Sequence, residues 1–176
     1  MRSPHLSLAH SLWKTHLCPS DLAVDATCGN GHDTLILATL GAEVIALDIQ
    51  PAALIQTRLR LGNRPATLLL HSHAPWPPLP RAPRLIVYNL GYLPGGDKSL
   101  TTQTETTLAS VQEAYSLLAP DGALSITCYP GHPEGTREEA ALMEWAAPLN
   151  AQHFRWKERA QSPSLLWIAK TAAPRP

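Results

Sequence analysis

Residues 22–48 read LAVDATCGNGHDTLILATLGAEVIALD, and this stretch decides the fold class. Its two ends, 22–27 and 43–48, are short runs that are apolar on both faces, as buried parallel strands are. Between them, a turn with two glycines leads into an apolar stretch of helical length that ends at Gly41. The pattern predicts a strand, a crossover helix and a second strand parallel to the first.

The same alternation continues to the end of the chain. Pro51 suits the first position of a helix and Gly62 its end, which predicts a helix over 51–61. We predict further strands at 66–71, 84–89, 123–129, 153–158 and 164–170, and further helices through 108–118 and over 138–149. The last two strands should form an antiparallel hairpin. The expected fold is α/β and Rossmann-like: a mostly parallel seven-stranded sheet with helices on both faces and an antiparallel C-terminal strand.

Length and composition favour one compact enzyme-sized unit. The 176 residues, 44% of them hydrophobic, suit a single domain over 1–176 with one core. No apolar run approaches the roughly 20 residues of a membrane span, and the amphipathic N-terminus, interrupted by His and Lys, does not resemble a signal peptide. Cys18, Cys28 and Cys128 cannot all pair and lack metal-like spacing, which indicates a reducing, cytoplasmic location.

The charge balance is neutral, with 14 basic and 14 acidic residues. This argues against a protein that holds nucleic acid by bulk charge alone, although a local basic patch is compatible with it.

The loops after the first two strands predict a nucleoside-bearing cofactor. Ligands of such sheets bind beyond the carboxyl ends of the strands, where the strand order reverses. Asp48 ends the second strand and can accept hydrogen bonds from ribose hydroxyls. The dinucleotide fingerprint would place a third glycine at Thr34, and Asp25 would repel a pyrophosphate but attract the amino group and sulfonium of S-adenosylmethionine. We therefore favour S-adenosylmethionine over NAD. The predicted cofactor-binding residues are Asp25, Thr27, Gly29, Asn30, Gly31, Asp33, Thr34, Asp48, Gln50, Ser72, His73 and Asn89.

Residues 89–107, NLGYLPGGDKSLTTQTETT, predict a site for an amine acceptor. Methyl transfer to nitrogen requires the lone pair of the amine to face the methyl carbon. The side-chain oxygen of Asn89 and a following backbone carbonyl can take the two N–H bonds, and the ring of Tyr92 can stack on a base. Asn-Leu-Gly-Tyr is similar to the Asn-Pro-Pro-Tyr motif of amino-directed methyltransferases.

The rest of this stretch combines helix capping with candidate chemistry. Thr102 and Glu105 match a capping box, which would account for several of the threonines. An exposed Asp97–Lys98 pair would add little stability. We therefore expect Lys98 to contact a phosphate and Asp97 to orient or deprotonate the amine. The predicted catalytic residues are Asn89, Tyr92, Asp97 and Lys98, and the predicted substrate-binding residues are Gly91, Tyr92, Lys98, Thr101, Thr102 and His132.

Four segments together resemble one family: VDATCGNGHDTL, ALDIQ, the stretch 89–107, and YPGH with the Gly and Glu that follow it. The chain resembles the small class I methyltransferases of the rRNA methylase family, whose characterised members are MnmM-type tRNA methyltransferases. The resemblance implies a Rossmann-like fold and S-adenosylmethionine. It also implies that 5-aminomethyluridine at the tRNA wobble position is methylated to 5-methylaminomethyluridine, with the anticodon stem-loop as partner. The chain departs from the family at His71, where an acid is expected, and at the proline-rich segment 75–83, where a helix is expected.

Several single residues allow other interpretations. His71 and His73 alternate and could face the same way, but a metal would need a third ligand, so no metal site is predicted. Cys128 could be a nucleophile, as in some RNA cytosine-5 methyltransferases, but its apolar strand favours a buried, inert thiol. Segment 75–83 could be a polyproline ligand or a stiff connector.

Two other functions remain open. One is a methyltransferase for rRNA or for a small-molecule amine. The other is a Rossmann oxidoreductase that uses NAD, or a nucleotide-binding module without activity. The chain has little room for a dedicated RNA-binding domain, so tRNA contacts would come from the catalytic domain or from a homodimer.

Overall fold

The computed structural model describes residues 3–91, 103–149, 151–156 and 161–170. The strands are β1 (Leu22–Asp25), β2 (Glu43–Asp48), β3 (Thr67–Leu70), β4 (Leu85–Asn89), β5 (Ala123–Cys128), β6 (Gln152–Arg155) and β7 (Ser164–Ala169). The helices are α1 (Pro4–His16), α2 (His32–Thr39), α3 (Pro51–Leu61), α4 (Thr104–Leu117) and α5 (Pro133–Ala146), and a short 3-10 turn, Ala147–Leu149, follows α5.

These strands form one seven-stranded sheet in the order β3-β2-β1-β4-β5-β7-β6. Strands β1 to β5 pair in parallel, whereas β7 runs antiparallel to both β5 and β6. The predicted fold class is thus confirmed, including the C-terminal hairpin. Because the order reverses between β1 and β4, their carboxyl ends flank the point where such sheets bind ligands.

The core lies on both faces of the sheet. Leu85 and Val87 of β4 join a cluster with Trp13 of α1 and Leu37 of α2. Ile86 and Tyr88, the alternating residues of the same strand, join a second cluster that contains residues of α4 and α5. Side chains of a strand alternate between its two faces, so the sheet has helices on both sides, as predicted.

Helix α1 is fastened to the sheet by Trp13. The indole is buried, and its Nε1–H donates to Ser125 Oγ of β5 at 2.9 Å. His5 and Ala9 are also buried, at the i, i+4, i+8 spacing of one helix face. The amphipathic N-terminus is therefore part of the core packing.

Two predicted helix starts are wrong. Helix α5 begins at Pro133, five residues before the predicted start, because proline at the first helical position needs no N–H partner. Helix α4 begins at Thr104 after Gln103, which makes no side-chain cap. Glu134 of α5 caps it instead, since one carboxylate oxygen accepts from the Thr104 backbone N–H at 2.8 Å and from its hydroxyl at 2.7 Å. A carboxylate from another helix thus helps to cap α4, and Thr102, the cap that the sequence predicted, lies outside the described residues.

The proline-rich segment 75–83 connects β3 to β4 without a helix, as predicted. Trp76 anchors it to the sheet, since the indole is buried in the core and donates to the Ser110 carbonyl at 3.0 Å. This burial favours a connector over a partner-binding segment. Across the residues that the structure covers, no helix is long and apolar enough to span a membrane. That residues 1–176 form one domain stays a prediction.

Candidate active site

The turn between β1 and α2 passes close to the neighbouring helix α3. Gly31 has a φ of 75°, in the left-handed region, and a Cβ on it would lie 2.6 Å from the backbone Cα of Thr57. Thr57 in turn donates its hydroxyl to the Gly29 carbonyl at 3.1 Å, and Arg60 donates to the Asn30 carbonyl at 2.6 Å. Gly31 therefore meets both a conformational and a steric requirement, and α3 holds the turn in place.

Asp25, at the end of β1, is completely buried. Its carboxylate accepts a hydrogen bond from the Thr34 hydroxyl at 2.6 Å and from the Thr27 N–H at 3.3 Å. Burial, together with the nearby charge of Asp33, raises the pKa of Asp25 to about 7. A side chain with no exposed surface touches a ligand only if its neighbours move. The structure therefore assigns Asp25 and Thr34 first to building the turn, and their contact with a cofactor stays a prediction.

Asp48, at the end of β2, joins the first two loops. One carboxylate oxygen accepts from the Gly29 N–H at 3.0 Å and the other from the Gln50 N–H at 2.9 Å. Burial raises the pKa of this carboxyl, opposed by these backbone hydrogen bonds. Each oxygen of a carboxylate has a second acceptor site, so Asp48 can still bind hydroxyl groups of a ligand.

Asn89, at the end of β4, lies beside the glycine turn. Its backbone N–H donates to the Thr27 hydroxyl at 2.7 Å, and its side-chain NH₂ donates to a carboxylate oxygen of Asp33. The other Asp33 oxygen lies 2.7 Å from Nε2 of His10. Within the described residues, the buried side-chain oxygen of Asn89 has no hydrogen-bond partner. The predicted residues Thr27, Asp33 and Asn89 are thus brought together.

Sequence reasoning missed His10. It lies 23 positions before Asp33, and only the packing of α1 brings the two side chains together. The available signal was the helical spacing of buried residues in α1, which can be read from the sequence but does not indicate which neighbour His10 meets.

The loop after β3 places His71 and His73, which could have faced the same way, in different environments. His71 is exposed, with Nδ1 2.6 Å from the Ser72 carbonyl. His73 packs edge-on against Tyr88 with ring centroids 5.8 Å apart, and burial lowers its pKa. The strand ends at Leu70, so its alternation does not extend to these residues. Among the described residues, no group of three His, Cys, Asp or Glu side chains could hold a metal ion.

The loop after β5 provides His132 at this edge of the sheet. His132 caps α5, since its Nδ1 accepts from the Gly135 N–H at 3.0 Å, and its Nε2 has no partner among the residues described. Cys128 is buried, and burial raises the pKa of its thiol well above the usual range. This supports the interpretation of Cys128 as an inert thiol.

The remaining predicted residues lie beyond Gly91. Gly91 has a φ of 120°, a conformation suited to glycine. Tyr92, Asp97, Lys98, Thr101 and Thr102 lie outside the described residues.

Comparisons with known proteins agree with this architecture. The model of a family described as "Putative rRNA methylase" matches residues 44–166. A relative in Arabidopsis thaliana, named tRNA (mnm(5)s(2)U34)-methyltransferase, chloroplastic, is 35% identical over 161 residues. The match covers 81% of this chain and 58% of that relative, so the chain spans less than two thirds of its length.

Among the solved structures that match nearly the whole chain are proteins from two bacteria. One, from Clostridium thermocellum and described as a "putative rRNA-methylase", has a TM-score of 0.86 at 30% identity, over 97% of this chain and 99% of that one. The other is a "putative methyltransferase" from Streptococcus mutans in complex with SAH, with a TM-score of 0.84 at 31% identity and the same coverage. The fold, the glycine turn and these matches agree, and the chain belongs to the rRNA methylase family of class I methyltransferases.

Proposed function

We propose that this chain is an S-adenosylmethionine-dependent N-methyltransferase that converts 5-aminomethyluridine at the tRNA wobble position to 5-methylaminomethyluridine. The observation that carries the proposal is the buried side-chain oxygen of Asn89, which has no partner in the described part of the chain. An unsatisfied buried acceptor costs about 1–3 kcal/mol. An N–H of the acceptor amine would satisfy it once neighbouring groups move to admit the amine, because the oxygen is buried.

The residues at the first two loops fit the cofactor. When bound, S-adenosylmethionine supplies a methyl group on a positively charged sulfur that an amine can attack. Asp48 keeps acceptor sites for the ribose hydroxyls beside the turn that contains Gly29. Asp33 and the partly ionised Asp25 place negative charge behind this turn, which favours a cationic ligand over a pyrophosphate. This charge distribution, with the family membership, supports S-adenosylmethionine over NAD.

The chemistry of the acceptor defines what the chain has to do. An alkylamine titrates roughly like lysine, at a pKa of about 10.4, and must lose a proton before its lone pair can react. Asn89 would hold the neutral amine through one N–H and direct its lone pair. On transfer, the nitrogen would form a bond to the methyl carbon as the methyl–sulfur bond breaks and S-adenosylhomocysteine leaves, and the nitrogen would then release a second proton. Most of the rate would come from this alignment.

The roles of the other predicted residues remain part of the proposal. Asp97 is the proposed proton acceptor, Tyr92 would stack on the base, and Lys98 would contact a phosphate. The remaining proposed substrate contacts are Gly91, Thr101, Thr102 and His132. Of these, His132 has a buried ring nitrogen that no described residue satisfies.

The substrate class rests on the relatives. The Arabidopsis relative is named for methylation of a modified uridine of tRNA, which supports tRNA and its anticodon stem-loop as the partner. The family description names rRNA instead, so rRNA is the second candidate substrate and a small-molecule amine the third. A homodimer that extends the RNA-binding surface and a cytoplasmic location are further parts of this proposal.

The experiment uses labelled S-adenosylmethionine and three acceptors: tRNA that carries 5-aminomethyluridine, the same tRNA without this modification, and rRNA. Digested nucleosides are identified by mass spectrometry. We expect 5-methylaminomethyluridine from the first acceptor alone. Methylation of rRNA alone would contradict the proposed substrate, and binding of NAD without affinity for S-adenosylmethionine would contradict the proposed reaction.

A further inference from the structure

The N-terminal helix contributes a side chain to the site at the end of β4. His10 lies on α1, which the buried Trp13 fastens to β5 through its hydrogen bond to Ser125. The rings of His10 and Trp13 are in contact, with centroids 4.8 Å apart. The position of His10 is thus determined by core packing, which gives the side chain little freedom to move.

His10, Asp33 and Asn89 form a continuous chain of hydrogen bonds. His10 Nε2 lies 2.7 Å from one oxygen of Asp33, and the second oxygen accepts from the NH₂ group of Asn89. The side chains of His10 and Asp33 are only 15% and 9% exposed. Hydrogen bonds to a carboxylate in such a poorly solvated place are strong, because water competes weakly for the partners.

These hydrogen bonds determine which end of the Asn89 amide faces the acceptor site. The two ends of an amide have nearly the same shape but opposite hydrogen-bonding roles. A carboxylate accepts hydrogen bonds and cannot donate them, so Asp33 holds the NH₂ end, and the oxygen has no partner among the described residues. With the amide reversed, the NH₂ group would face the N–H bonds of an incoming amine and repel them.

We propose that His10 is a positioning residue for methyl transfer: by holding Asp33 from one side, it keeps the Asn89 oxygen directed at the acceptor amine. This role requires no contact between His10 and either the acceptor or the cofactor. The inference rests on the proposed function, because it assumes that Asn89 binds the acceptor amine. It adds that residues of α1, which precede the methyltransferase sheet in the chain, are needed for turnover.

Two variants separate the hydrogen bond from the packing of the ring. His10→Gln keeps an N–H donor at a reach similar to that of Nε2, whereas His10→Ala removes it. We expect His10→Ala to lower kcat about tenfold or more, with KM for tRNA and affinity for S-adenosylhomocysteine nearly unchanged, and His10→Gln to recover most of the lost turnover. Three results would overturn the proposal. They are a kcat of His10→Ala equal to that of the parent, an equal loss of kcat in both variants, and a loss of cofactor affinity that parallels the loss of kcat.

A second measurement does not depend on the substrate. The side-chain NH₂ signals of Asn89, assigned with Asn89→Ala, are followed by NMR in the S-adenosylhomocysteine complex. We expect slow hydrogen exchange of this NH₂ group in the parent and in His10→Gln, and exchange at least tenfold faster in His10→Ala. Unchanged exchange in His10→Ala would overturn the role of His10. If the parent fails to methylate 5-aminomethyluridine while the exchange differs as expected, the proposed substrate fails and the positioning of Asn89 by His10 stands.

Discussion

Thr34 donates a 2.6 Å hydrogen bond from its hydroxyl to the fully buried carboxylate of Asp25. Thr34 occupies the position where a dinucleotide-binding turn has its third glycine. Here a side chain is required at that position, because it satisfies an acid that has no access to water. The presence of threonine instead of glycine at this position therefore argues against a dinucleotide and also stabilises the turn.

Thr34→Val should destabilise the protein, because valine has nearly the shape of threonine but cannot donate to Asp25. The expected loss is about 1–3 kcal/mol of the free energy of unfolding, measured by urea denaturation. Thr39→Val is the matched control, since the Thr39 hydroxyl donates to a carbonyl of its own helix at an exposed position. Equal effects of the two substitutions would contradict the importance of the buried bond.

The free energy of unfolding should depend on the ionisation of Asp25. Burial raises its pKa to about 7 in the folded state, above the usual value of 3.8. Between these values the folded protein binds more protons at this site than the unfolded chain does, so the contribution of Asp25 to stability decreases as pH rises from about 4 to about 7. It is fully present below the unfolded pKa and lost above the folded one.

Asp25→Asn tests this dependence. Stability is measured at intervals from pH 4 to pH 8 for the parent and for the variant, and the difference between them isolates the residue from other titrating groups. We expect the parent to lose stability relative to Asp25→Asn over this range, by at most about 1.4 kcal/mol per pH unit. A parent that gains stability relative to the variant would have the opposite sign and contradict the raised pKa.

Asn89→Ala should lower turnover much more than cofactor affinity. Removal of the amide leaves the acceptor amine without its directing oxygen, and a loss of alignment of this kind can cost roughly 100-fold in kcat. Binding of S-adenosylhomocysteine is measured by calorimetry and turnover by methylated nucleoside. Asn63→Ala, at an exposed position after α3, serves as the control and should behave like the parent. Full turnover in Asn89→Ala would rule out its proposed role.

Gly31→Ala should destabilise more than Gly41→Ala. Both glycines have a positive φ, 75° and 83°, so alanine incurs backbone strain of about 1–2 kcal/mol at either position. At Gly31 the new methyl group would also meet the backbone of Thr57, whereas a Cβ on Gly41 would make only ordinary van der Waals contacts, the nearest at 3.6 Å with Pro19. We expect an additional loss of about 1–3 kcal/mol for Gly31→Ala in urea denaturation. Equal losses would mean that α2 and α3 separate without cost.

Local sequence patterns were sufficient to predict the fold and the edge of the sheet where the candidate site lies. Alternating apolar runs and a helix that begins at Pro51 predicted the parallel sheet, because burial on both faces selects continuous apolar strands. Asp48 and Asn89 could be assigned to one site from strand ends alone, since the carboxyl ends of neighbouring parallel strands meet at one edge. No side-chain geometry was needed for either prediction.

Side-chain partners were decided only by the tertiary structure. The sequence shows that α1 is amphipathic, but packing of Trp13 on β5 determines that His10 meets Asp33. Nothing in the local sequence of α4 indicates that Glu134, thirty residues later in the chain, accepts from the Thr104 amide. The hydrophobic periodicity of a sequence predicts which side chains are buried. The hydrogen-bond partner of each buried polar group depends instead on the packing distances and rotamers of several elements. The unpaired oxygen of Asn89 arises in the same way, because a carboxylate from another element occupies the opposite end of its amide.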